Sequence, residues 1–230
     1  MTGAPHRHFH DELSQLKDRL LHMSGEVEAA VDRAVRALLE HDADAAEQII
    51  AHDSAIDELE IEIENGVTNL LALQQPMARD LRLLLAALKI SNDLERMGDH
   101  AVNIAQSAKR LRDAPPITPA PELSDMARSV KAMLSGVLSA FVKGDSAAAR
   151  AICRQDDHVD ALHRSMFRIL LTHMAEVPST ITAAMELLLV SRNLERVADL
   201  ATNIGEDVVF MVEGTTIKHH AETGGVAGGR

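Results

Sequence analysis

Residues 90–105 read ISNDLERMGDHAVNIA, and residues 190–205 read VSRNLERVADLATNIG. At a shift of 100, Ser91, Leu94, Glu95, Arg96, Asp99, Ala101, Asn103 and Ile104 fall on identical residues, eight of the fifteen positions 91–105. Leu94, Met97, Ala101 and Ile104 recur at three- and four-residue steps, the spacing of one helix face. A helix repeated at this interval marks a tandem duplication. The repeat extends outward. At a shift of 103, Asp42, Ile49, Asp53, Asp57 and Leu59 fall on Asp145, Ile152, Asp156, Asp160 and Leu162. Pro76 and Pro178 mark the same interhelical break.

Each copy reads as three helices. In the first half, Leu13, Leu16, Leu20, Met23, Val27, Val31, Ala34 and Leu38 form an apolar stripe through residues 11–41. Asp42 and Asp44 suit an N-cap, and a second helix follows to about Leu73. After Pro76 a third runs from about Met77 to Leu111. The second half repeats the order as 123–142, 146–175 and 180–212, with Gly144–Asp145 as a turn. Between the halves, PPITPAP (115–121) cannot be helical and reads as a linker. The predicted fold class is all-α, two tandem three-helix bundles related by an internal repeat, six long helices in all. The predicted units are a first repeat 9–112, a linker 113–121, a second repeat 122–213 and a disordered tail 214–230 that holds five Gly. The first ten residues, with His6, His8 and His10, read as an equally loose segment.

Composition excludes several alternatives. The 230 residues include four Phe and neither Tyr nor Trp, which disfavours an all-β fold and base-stacking nucleic-acid binders. Twenty-three Lys and Arg against 35 Asp and Glu give a net charge of −12, so no nucleic-acid partner is expected. Cys153 is the sole cysteine; it cannot form an internal disulfide, fits a reducing cytoplasm and reads as a small core residue. No secretory leader is read at the N-terminus, and no 18-residue window is free of charge, so direct membrane insertion is not expected.

Each half carries two acidic pairs with a four-residue step: Asp53/Asp57 and Glu95/Asp99, then Asp156/Asp160 and Glu195/Asp199. Such a step puts two side chains one turn apart on one helix face, where like charges cost roughly 0.2–0.5 kcal/mol. Antiparallel neighbours would bring both pairs of a half together, and four carboxylates then call for a cation. An all-oxygen set suits a hard ion. Arg96–Asp99 and Arg196–Asp199 also have ion-pair spacing, the plain surface reading of each aspartate. Positions 49–60 and 152–163 agree at four of twelve places, and two of the four are the acidic pair. His52/Gln155, Glu58/Ala161 and Glu60/His163 have diverged, so the pair outlasts its surroundings. The acidic ridge borders a charged face of Arg82, Lys89, Arg96 and His100, which predicts a site on the bundle surface. His163 has ligand-like spacing from Asp160, but its counterpart is Glu60, so it reads as solvated. No glycine-rich phosphate loop, HExxH or GxSxG occurs.

The two strings, together with QQPMARDLR (74–82), resemble the paired signature of the PhoU family of phosphate-uptake regulators. The resemblance covers roughly residues 9–213. It implies two three-helix bundles side by side and metal clusters, iron foremost, held by the eight carboxylates named above; Mn, Mg, Zn and Ca are the alternative ions. Asn103 and Asn203, one turn further along, would add water-mediated contacts. The resemblance also implies a non-catalytic cytoplasmic role through contacts with the ATPase of the phosphate ABC importer and a phosphate-sensing histidine kinase. A homodimer stays open. The second half departs from the pattern with VPSTITAAM in place of QQPMARDLR, and His100 becomes Leu200, so His100 is not a shared ligand. Two other classes would use the same carboxylates: storage of iron or another divalent metal, and a metal-dependent enzyme. The enzyme needs a deep pocket and an open coordination position. Against it, no ExxH pair lies on the helices that would carry it.

Overall fold

The computed structural model describes residues 4–74, 76–112, 114, 115, 117 and 120–217. Residues 218–230 of the expected tail, Gln75, and Asp113, Pro116, Thr118 and Pro119 of the expected linker lie outside the described residues. The chain folds as α1 (Ala4–Glu40), α2 (Ala43–Ala51), α3 (Ser54–Gln74), α4 (Arg79–Leu111), α5 (Pro121–Lys143), α6 (Ser146–Cys153), α7 (Asp156–Glu176), a 3₁₀ turn (Pro178–Thr180) and α8 (Ile181–Glu213). Among the described residues there is no strand.

Two three-helix bundles are present, with one difference from the expected six helices. The middle helix of each is broken, at His52–Asp53 and at Arg154–Gln155. Across the first break the amides of His52, Ala55 and Ile56 reach the carbonyls of Ile49, His52 and Asp53, three residues back rather than four. The helix tightens there and restarts on a new axis. Gln155 and His158 do the same in the second half.

The turns before α2 and α6 follow from their residues. Asp42 accepts from the Ala45 amide and Asp145 from the Ala148 amide, both at 2.9 Å. These bonds satisfy N–H groups that the helix start leaves free. Gly144 closes α5 at φ 63°, while the equivalent position in the first half is His41 at φ 56°. A side chain in that left-handed region carries strain that glycine avoids.

The N-terminal segment is not the loose stretch its histidines predict. α1 starts at Ala4, and Phe9 is buried. Phe9 extends the stripe of Leu13, Leu16 and Leu20 by one turn, and Pro5 falls in the first turn, where its missing N–H costs nothing.

The core lies along α4 and α8, each 33 residues long. α1, α2 and α3 pack on α4; α5, α6 and α7 pack on α8; α4 packs on α8. Leu84, Ile90, Leu94, Met97 and Ile104 of α4 and Val190, Leu194, Val197, Ile204 and Val208 of α8 are fully buried. Each such side chain contributes roughly 1.5–3 kcal/mol by leaving water. Arg82 Nε donates to the Met211 carbonyl at 3.3 Å, Lys89 pairs with Asp207 at 2.9 Å, His100 with Asn193 at 2.9 Å and Arg110 with Glu186 at 2.7 Å. α4 and α8 therefore run antiparallel. Much of the charged face read on α4 is in fact the polar margin of this seam.

Candidate functional site

In the first half Asp53 sits in the break between α2 and α3, Asp57 in the first turn of α3, and Glu95 and Asp99 one turn apart on α4. Asp53 and Glu95 are half-buried; Asp57 and Asp99 are exposed. Burial pushes the Glu95 carboxyl up to about 7, helped by the charges of Asp99, Glu60, Asp57 and Asp53. Asp53 is raised by burial, then by Asp57 and Asp99. The packing of α3 on α4 thus brings the four predicted carboxylates into one electrostatic neighbourhood.

Glu60 belongs to the same neighbourhood, and the sequence reading left it among the diverged surface positions. Its carboxyl is raised by burial and by Glu64, Asp57 and Asp99, and it accepts from Asn92 Nδ2 at 3.3 Å. Its step of three from Asp57 was the available signal. Its counterpart His163 is not solvated. It is half-buried, with Nδ1 2.7 Å from the Ser191 hydroxyl.

The second half assembles the equivalent set. Asp156 and Asp160 lie on the first turns of α7, Glu195 and Asp199 on α8, and all four are half-buried. Burial and the charges of Asp199, Asp160, Asp157 and Glu195 push Asp156 up to about 6. Among the described residues Asp156 Oδ1 is buried with no hydrogen-bond partner. The restart of the helix at Asp156 sets this carboxylate in the first turn, toward the positive end of the helix dipole. A cleft of about 300 Å³ opens beside it, lined by Asp156, Asp199, Asn203, Arg96, His100 and Arg196, among others.

The two sites differ in their arginines. Arg196 donates to Asp199 at 2.9 Å, and Arg164 to Asp160 at 3.4 Å. In the first half Arg96 turns instead to Asp93, at 3.5 Å. The ion-pair reading of the ExxxD motif therefore holds for Asp199 and fails for Asp99.

The carboxylates themselves fit a hard cation: they are oxygen donors, burial and their neighbours' charges raise Asp53, Glu95 and Asp156, and among the described residues Asp156 Oδ1 is buried without a partner. The geometry is open. Among the described residues no three His, Cys, Asp or Glu side chains converge to enclose one ion.

The PhoU domain model matches residues 20–108 and 123–208. The chain belongs to the PhoU family. The two PhoU matches cover both repeats, each with its own pair of acidic motifs. The chain is 38% identical over 208 residues to a phosphate-specific transport system accessory protein PhoU homolog of Aquifex aeolicus, covering 90% of this chain and 94% of that one. It is 39% identical over 215 residues to the Caulobacter vibrioides PhoU homolog of the same description, covering 93% and 94%. The crystal structure of PhoU from Pseudomonas aeruginosa superposes with a TM-score of 0.86 at 35% identity, covering 90% of this chain and 100% of that one. The PhoU structure from Streptococcus pneumoniae gives 0.86 at 30% identity, with 91% and 99% covered.

Proposed function

We propose that this chain is a cytoplasmic regulator of phosphate uptake and phosphate-starvation signalling. It works by binding the ATPase subunit of the phosphate ABC importer and a phosphate-sensing histidine kinase, and keeps the starvation response off when phosphate is plentiful. The observation that carries the reading is the pair of PhoU matches, residues 20–108 and 123–208, one on each repeat. Relatives described as accessory proteins of phosphate-specific transport support it. Among the described residues no helix is long and apolar enough to cross a membrane, so contact with the importer is proposed to run through its cytoplasmic parts.

Asp53, Asp57, Glu60, Glu95 and Asp99 would hold hard cations in the first half, and Asp156, Asp160, Glu195 and Asp199 in the second. A bound ion would supply the positive charge these carboxylates lack and tie α3 to α4 and α7 to α8. Iron leads by family resemblance. The role proposed is conformational rather than catalytic. The Ser191 hydroxyl beside His163 is buried and also meets Met126 Sδ at 3.5 Å, a packing contact out of reach of substrate.

Deletion of the gene in its own cell tests the regulatory reading. Starvation genes should be expressed in phosphate-rich medium and be silenced again by the wild-type chain. Normal silencing in a deletion strain without a second copy would overturn it.

A further inference from the structure

Within the QQPMARDLR segment, residues 76–82 lie apart from the carboxylate sites. The segment opens α4 at Arg79, sixteen residues and about 24 Å along the helix from Glu95. A cleft of about 400 Å³ opens there, between the N-terminal part of α1, the start of α4 and the ends of α5 and α8. Its floor is apolar. Leu13, Phe141 and Met211 line it, each between 5% and 8% exposed, so their outer edges form a surface rather than a sealed core.

Its rim is cationic in a chain whose net charge is −12. Lys17 from α1, Arg79 from α4 and Lys143 from α5 stand on it, all exposed. Among the described residues none of the three pairs with a carboxylate, whereas Arg110, Lys131, Arg150 and Arg196 all do. Among the described residues Asp80 is the one carboxylate on the wall, and His10 also borders it. α4 begins here without a side-chain cap, although the Asp80 amide already donates to the Met77 carbonyl. The equivalent turn of the second half, VPSTITAAM (177–185), carries neither Lys nor Arg.

We propose that this cleft binds a small organic phosphate, with the phosphoryl group among Lys17, Arg79 and Lys143 and the apolar body over Leu13, Phe141 and Met211. Three separate cations match a multiply charged phosphoryl group better than a single carboxylate. The apolar floor and a volume within the roughly 300–1,000 Å³ of small-molecule sites argue for an organic body over free phosphate. The proposal is independent of the carboxylate clusters, and each can fail without the other.

Isothermal titration calorimetry of the full chain in metal-free buffer tests it, with ADP, dihexanoyl phosphatidic acid and inorganic phosphate as probes. ADP or the short-chain lipid should bind at one site per chain, and inorganic phosphate about tenfold more weakly or worse. ADP alone would mark a nucleotide site, the lipid alone a headgroup site, and either supports the proposal. Lys17→Ala with Lys143→Ala should weaken binding about tenfold or more, as expected for lost charge-assisted hydrogen bonds. Both positions are exposed, so the variant should fold, and Arg168→Ala, at an exposed position outside the cleft, should bind normally. Three results would overturn it: no saturable binding of ADP or the lipid, inorganic phosphate binding equally well, or unchanged binding in the double variant.

Discussion

Lys89 Nζ lies 2.9 Å from Asp207 Oδ1, and this bond joins the central helices of the two repeats. The Asp207 side chain is only 4% exposed, while that of Lys89 is 48% exposed and its amine also stands 5.2 Å from the centre of the Phe210 ring. Among the described residues this half-solvated lysine is the carboxylate's one ion-pair partner. Lys89→Met keeps the stem and strands the charge. Urea unfolding should show a loss of about 1–3 kcal/mol, the cost of an unsatisfied buried group. Adding Asp207→Asn should recover part of it. No loss in the single variant would mean that water already serves Asp207.

Gly205 is fixed by a side chain from the neighbouring helix. A Cβ there would stand 2.7 Å from Cys153 Sγ and 3.3 Å from the Ala149 carbonyl oxygen. Gly205→Ala should destabilise the protein by about 1–3 kcal/mol through overpacking. Cys153→Ala in the same chain should restore much of that loss, and thermal melts of the single and double variants measure the coupling. Burial also pushes the Cys153 thiol up to about 11, with the Glu206 charge adding to it. The native thiol should therefore react slowly with alkylating reagents at neutral pH.

The raised carboxyls give metal-free protein a defined pH dependence. Glu95 rises from 4.5 to about 7 and Asp156 from 3.8 to about 6, so the folded state holds protons that the unfolded state has released. Stability present below pH 4 is lost as pH rises through about 6 and 7. The melting temperature of metal-free protein should fall between pH 5 and 8, and Glu95→Gln with Asp156→Asn should flatten that slope. A rise over this range in metal-free protein would contradict the assigned burial of these groups.

The fold was legible because two features survive in both copies: the apolar helical period and the turn residues. Asp42 caps α2 as read, and Pro76 and Pro178 both fall between helices. The helix breaks before Asp53 and Asp156 were not legible. They arise from a local tightening of hydrogen bonds, and His52 and Gln155 carry no breaker chemistry. The start of α1 was obscured by Pro5 and the histidines, which suit a loose tail as well as a first turn. Spacing singled out the eight carboxylates, and helix packing sets each group of four in one electrostatic neighbourhood, while among the described residues no three of them converge on one point. Glu60 was missed because its repeat partner is His163, so a test for shared identity discards it. The arginine asymmetry was hidden too, since Arg96 and Arg196 are identical in sequence. Only the packed structure separates their partners, Asp93 and Asp199.

The central claim is that the duplicated carboxylates hold metal, and elemental analysis of untagged protein purified without added metal tests it most directly. The comparison is a variant in which Asp53, Asp57, Glu95, Asp99, Asp156, Asp160, Glu195 and Asp199 are all replaced by Ala, with helicity checked by circular dichroism. Several ions per wild-type chain and none in the folded variant are predicted, with Glu60→Gln lowering only the share held by the first half. An absence of metal from the wild-type protein, or equal metal in both, would contradict the account and leave the ridges as ion-paired or partner-docking surface.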